Sequence, residues 1–153
     1  MVTLSQVTIQ LPTQRRRRRS KNQEREMNSN HVTVVYKWTA QPGKLGELAA
    51  IYADVTTAME HDEPGAEAVH VYVSEEENAL YVRDEFTDGD AVGFHLSTTA
   101  GAHFPSLLAI ATPGPFFFMG PIPDEMKAAT EQMGLGAEFS LHAGGFDREE
   151  VSA

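Results

Sequence analysis

From His31 onward, hydrophobic and polar positions alternate, with Val32, Val34, Tyr36 and Trp38 on one face and Thr33, Val35 and Lys37 on the other. A period of two in β-branched and aromatic residues predicts a strand. Gln41-Pro42-Gly43 then turns the chain. Leu45, Leu48, Ala49, Tyr52, Val55, Thr56 and Met59 recur at spacings of three and four, which places them on one face of an amphipathic helix. That helix ends before Asp62-Glu63-Pro64-Gly65, because proline and glycine extend a helix poorly. Two further strand-like runs, AEAVHVYVS and ALYVRDEF, flank the acidic turn Glu75 to Asn78 and predict an antiparallel hairpin.

Asp88 has the short acceptor side chain of an N-cap and precedes a short helix carrying Ala91, Val92, Phe94 and His95. A second helical piece, Ala102 to Ala111, is broken from the first around Thr98 to Gly101. After Pro113-Gly114-Pro115, the run Phe116 to Met119 predicts a short, fully buried strand. Asp124 caps a final helix through Met133, and AEFSLHAGGFDR offers one more strand. The order β-α-β-β-α-β predicts an α+β, ferredoxin-like split βαβ fold, with a four-stranded antiparallel sheet covered by helices on one face. Strands one to three are apolar or aromatic on both sides, so the bare face calls for a cover, and a second copy of the chain supplies it. The domain spans residues 31–121, and residues 122–153 pack on it as a helix and an extra strand.

Charge divides the chain of 153 residues and net charge −10. Residues 1–30 hold seven bases, including Arg15 to Arg19, and two acids, without a period that buries a face. They read as a disordered basic tail, or as sequence upstream of a true start at Met27. The remainder holds five bases against 20 acids, which repels phosphate backbones and anionic lipid. Neither nucleic acid nor membrane is therefore expected as a partner of the folded part. Clusters such as Glu75-Glu76-Glu77 with few lysines also fit a protein adapted to high salt. With no cysteine, disulfides, thiolate nucleophiles and Fe–S clusters are excluded. No apolar run reaches membrane-spanning length and no apolar segment follows the arginines, so cytoplasmic residence is the expectation.

Three stretches, VVYKWTAQPGKLGELAAIY, HDEPGAEAVHVYVS and LYVRDEFTDGDAVGFHLST, resemble the antibiotic biosynthesis monooxygenase family in order and spacing. The shared features are Pro-Gly-Lys opening helix one, Glu-Pro-Gly before strand two, and strand three running into an Asp-rich turn and an Ala-x-x-x-His helix. The resemblance implies a dimeric α+β barrel, a homodimer whose sheets face each other, and a pocket between sheet and helices. It also implies, for some members, oxygenation of aromatic polyketides or quinols without metal or flavin, with molecular oxygen as co-substrate. His95 fills the place of the family's first helix histidine, and His103, eight residues on, is the counterpart of the second. Haem-degrading relatives carry an asparagine on strand one and a tryptophan in this helix; Lys37 or Trp38 and His95 stand there instead, which argues against haem degradation.

Cofactor-free oxygenation needs a base to deprotonate an electron-rich phenol or quinol, and imidazole suits that role. His95 and His103 are the catalytic candidates. Tyr36, Trp38, Tyr81, Phe94 and Phe116 are candidates for holding an aromatic substrate, and equally serve as core. Asp84 and Glu85 alternate sides of strand three; one can orient a histidine, although an ion pair with Arg83 or Lys37 is the simpler role. His95, His103 and a carboxylate lack the tight spacing of a metal motif, so no metal site is expected. Two other readings stay open: a small-molecule isomerase using the same pocket, and a non-catalytic dimeric ligand-binding module.

Overall fold

The computed structural model describes residues 30–148. The basic tail and the alternative start at Met27 lie outside them. Strand β1 (Val32–Ala40) is followed by helix α1 (Leu45–Asp62), the hairpin β2 (Ala66–Ser74) and β3 (Ala79–Phe86), and helices α2 (Gly89–Ser97) and α3 (Thr99–Ile110). Strand β4 (Ala111–Met119), helix α4 (Asp124–Gln132) and strand β5 (Ala137–Ser140) complete the order. The fold is α+β and ferredoxin-like, with the sheet order β2-β3-β1-β4-β5. The first four strands pair antiparallel, as the split βαβ order predicts. The sheet has five strands rather than four, because β5 adds at the β4 edge, and it adds in parallel. Helix α4 carries the chain back between β4 and β5, which is what a parallel neighbour requires.

Alternation decides which side of the sheet is dry. Val32, Val34, Tyr36 and Trp38 of β1 and Leu80, Val82, Asp84 and Phe86 of β3 are buried on the helix side. Leu48, Tyr52, Val55 and Met59 of α1 pack onto them, four of the seven residues in the helix stripe. Val35, Lys37, Tyr81, Arg83 and Tyr72 fall on the opposite side by register, and no element of the described residues covers it. Strand β4 follows the same rule and is not fully buried as expected: Phe116 and Phe118 enter the core, whereas Phe117 and Met119 are about 40% exposed. It is also longer than predicted, because Ala111 enters the strand directly from α3.

Two glycines set the surroundings of the site. Between the pairs Tyr36–Phe116 and Trp38–Pro113, β4 carries one extra residue, a bulge that contains Gly114. Gly114 has φ +105°, and a Cβ there would lie 2.8 Å from the carbonyl oxygen of Leu135, so only glycine lets the loop before β5 close over the sheet. At the other end, a Cβ on Gly65 would lie 2.6 Å from Cβ of Ala91. That close approach draws the α1–β2 turn onto the first turn of α2, and the Thr87 amide donating to the Gly65 carbonyl at 2.9 Å fastens it. Asp88 caps α2 as expected, accepting from the Ala91 amide at 2.8 Å.

Candidate active site

His95 lies one helical turn beyond Ala91 on α2, and Glu63 lies two residues before Gly65 in the turn. Docking Gly65 on Ala91 therefore brings Glu63 to His95. Glu63 is the C-cap of α1, with its amide donating to the Met59 carbonyl at 3.0 Å, so its backbone is fixed. The Nδ1–H of His95 donates to the Glu63 carboxylate, at 3.0 and 3.1 Å from its two oxygens. The pair is deeply buried, with Glu63 3% and His95 7% exposed. Burial by itself raises the pKa of Glu63, but the hydrogen bond and charge of His95, helped by the Thr99 hydroxyl, outweigh it and leave Glu63 below its ordinary value. Glu63 is thus held as the carboxylate, and Nε2 is the ring nitrogen His95 can offer to a ligand.

His95 lines a cavity between the sheet and helices α1, α2 and α3, together with Tyr36, Trp38, Asp84, Phe104 and Phe116. The cavity offers about 40 Å³ to the centres of water molecules, against roughly 10–15 Å³ for one water. Its walls combine aromatic rings with aliphatic side chains such as Val34, Val92 and Leu107. Tyr36 and Phe116 stack with ring centroids 4.4 Å apart and planes 9° apart, and Phe104 meets Trp38 edge-on at 5.8 Å. Phe86 supports the His95 ring at 5.4 Å.

One charged group breaks this apolar lining. Asp84 on β3 is 1% exposed, and its Oδ2 accepts from the Tyr36 hydroxyl at 2.9 Å. Its Oδ1 has no hydrogen-bond partner among the described residues. Burial pushes the Asp84 carboxyl up to about 6; the His95 charge and the Tyr36 hydrogen bond only partly oppose this. Two carboxylates near His95 are therefore in opposite condition: Glu63, its hydrogen-bond partner, is held ionised, and Asp84, in the cavity wall, is pushed up to about 6. Burial also raises Tyr36 and Tyr52 far above the ordinary tyrosine value, so both remain neutral hydroxyls.

Of the residues singled out from the sequence, His95, Tyr36, Trp38 and Phe116 meet in this cavity. His103, Tyr81 and Phe94 do not line it. The His103 Nδ1–H donates to the Thr99 carbonyl at 2.8 Å, one turn back on α3. Tyr81 has odd parity on β3, which turns it to the opposite side of the sheet, where its hydroxyl bonds Glu77. Phe94 precedes His95 on α2 and is 48% exposed, because neighbouring helix positions point about 100° apart. Asp84 and Glu85 split as alternation requires: Glu85 meets His31, Thr33 and Arg83 on the open side. The partner of His95 is neither of these but Glu63, which the sequence marked only as a helix-ending residue. No local spacing signals a contact across 32 residues. Among the described residues no group of three or more histidines and carboxylates is placed to hold a metal ion, and no helix is long and apolar enough to cross a membrane.

Several solved structures share this architecture. MupZ from Pseudomonas fluorescens superposes with a TM-score of 0.62 at 17% identity, covering 81% of this chain and 99% of its own. A conserved protein from Methanosarcina mazei gives 0.53 at 20% identity over 61% of this chain and 95% of its own. A protein described as an antibiotic biosynthesis monooxygenase gives 0.53 at 18% identity over 60% and 99%. At these identities the likeness establishes the fold. No curated protein matches the sequence. The family model described as Antibiotic biosynthesis monooxygenase matches residues 31–105, a stretch that runs from β1 into α3 and includes Glu63, Asp84 and His95. Residues 31–105, which supply His95, Glu63 and Asp84, thus carry the sequence pattern of the antibiotic biosynthesis monooxygenase family.

Proposed function

We propose that the chain is a cofactor-independent monooxygenase that acts on a hydroxylated aromatic or quinol, with His95 as its base and molecular oxygen as co-substrate. The observation that carries this reading is His95, set in the wall of a cavity rich in aromatic side chains and held from behind by the buried Glu63. Glu63 fixes the tautomer and the ring orientation, so Nε2 receives the proton of the substrate hydroxyl. The resulting anion passes one electron to dioxygen, and the two radicals combine at an activated ring carbon bearing hydrogen. The imidazolium returns its proton to the peroxide. His95 next removes the hydrogen on that carbon as a proton, the O–O bond breaks, and the departing hydroxide takes the proton as water. One oxygen atom ends as a new carbonyl and the other as water, with both hydrogens supplied by the substrate.

Tyr36, Trp38 and Phe116 are the proposed substrate walls, and His103 stands outside the reacting set. Tyr72, Phe117 and Met119, exposed on the uncovered side of the sheet, support a homodimer formed through that side. We assign the protein to the cytoplasm.

Oxygen-electrode traces with a panel of quinols and anthrones test the reading: consumption by the native chain should vanish in His95→Ala. A flat trace across the panel refutes oxygenation. Turnover that persists without oxygen points instead to isomerisation. A ligand-induced thermal shift without turnover, unchanged by His95→Ala, points to a binding module.

A further inference from the structure

We propose that Phe104 is the door of the cavity, and that the stretch of α3 between Thr99 and Leu107 gives way to admit an aromatic ring. This rests on the cavity being the site of an aromatic substrate, as proposed above, although opening itself needs neither oxygen nor turnover.

Size sets the requirement. As it stands the cavity offers about 40 Å³, about a quarter of the roughly 150 Å³ of an apolar cavity that takes up benzene. A ring therefore enters only if a wall moves. All but four of the lining residues are buried; Leu96, Ala100, Phe104 and Met133 reach solvent. Three of these four lie at or just beyond the joint between α2 and α3, so the cavity is thinnest there. Phe104 carries the one aromatic ring among them, and it stands edge-on to Trp38.

The same stretch is loosely held. Thr98 has φ −113° and ψ −89°, outside the helical region, and its amide and hydroxyl both turn back to the Phe94 carbonyl, at 3.0 and 2.6 Å, so α2 stops there. Helix α3 then starts without a side-chain cap. Further on, Pro105 brings no amide, which leaves the Gly101 carbonyl without its usual helical donor. Thr99 and Leu107 are buried and hold the stretch at its ends, whereas Gly101, Ala102, Pro105 and Ser106 between them are exposed. An outward shift here uncovers Trp38 and leaves the Glu63–His95 pair in place, since α2 and the α1–β2 turn hold that pair.

Trp38 is the only tryptophan of the chain and is buried, so its emission reports this wall. Dynamic quenching by N-methylnicotinamide, a probe the size of a single ring, measures how often the wall opens that far. With the open form a minor state of at most about a tenth of the molecules, Phe104→Ala should raise the quenching rate constant at least about tenfold. Pro105→Ala restores an amide for the Gly101 carbonyl and should lower it about fivefold, the effect of one backbone hydrogen bond on the open population. Circular dichroism checks that both variants are folded. Hydrogen exchange decides the matter should Phe104→Ala fail to fold. In the native chain the amides between Ala102 and Leu107 should exchange faster than those of α1 and β1, and Pro105→Ala should slow them about fivefold while α1 and β1 change less. Quenching that neither variant changes, or α3 amides that exchange only as slowly as those of α1 and β1, overturns the inference. A door that opens as expected in a chain that consumes no oxygen removes only the oxygenase reading, and oxygen uptake by a chain that fails these tests removes only the door.

Discussion

Asp84 lets the stability of this fold be set against pH. In the unfolded chain its carboxyl titrates near 3.8, and in the folded protein at about 6. At low pH both states hold the proton and the group contributes nothing. As pH rises from about 4 to 6, the unfolded chain releases a proton that the native state retains, so stability falls across that window and levels off above it. With about 1.4 kcal/mol per pH unit, the full cost at neutral pH is about 3 kcal/mol. Asp84→Asn keeps the shape and a bond to Tyr36 but cannot ionise. The stability of Asp84→Asn relative to the native chain should therefore climb by about 3 kcal/mol as pH rises from about 3.5 to 7.5, which is on the order of 10 °C in Tm at the upper end. Urea unfolding at half-unit pH steps measures it, and titrating groups common to both chains cancel in the difference. A difference that stays flat with pH, or that falls as pH rises, refutes the claim that Asp84 is a buried, strained anion.

Three further outcomes follow from the same geometry. Glu63→Gln should lower stability at pH 7.5 by about 2 kcal/mol, the value of a hydrogen bond to a charged partner. Since the Glu63 pKa is lowered on folding, that contribution is present above its unfolded value and disappears as pH falls through the folded one. Chemical denaturation at pH 7.5 and at acid pH checks both parts, and oxygen uptake should fall with it if Glu63 orients the base. Gly114→Ala, at φ +105° with Leu135 oxygen in the way, should cost about 1–3 kcal/mol, whereas Gly46→Ala inside α1, with nothing within 4 Å, should gain up to about 1 kcal/mol; paired thermal melts compare them. In sedimentation, the native chain should run as a dimer, and Tyr72→Glu, placing a charge on the uncovered side of the sheet, should release monomers without loss of helical circular dichroism.

The sequence alone was sufficient for most of the elements and for the dry faces of those that alternate. A period of two or of 3.6 records directly which residues share a side, so β1, α1, the hairpin and the capped α2 follow from Val32 to His95 without tertiary knowledge. The length and one-sided burial of β4 did not follow, because Phe116 to Met119 is apolar at every position and carries no alternation to read. Sequence also singled out His95, Tyr36, Trp38 and Phe116, each a residue of suitable chemistry in a periodic element. It was blind to the pairing of Glu63 with His95, since the contact depends on the close approach of a loop to a helix, with Gly65 resting on Ala91. Nor could it divide Asp84 from Glu85 by environment: both are acids on one strand, and only the sheet's covered side makes the first a buried, weakened acid and leaves the second in a surface cluster. Periodicity is written in the chain, whereas the electrostatics of the site come from desolvation and from distances between elements, which exist only after the helices close over the sheet.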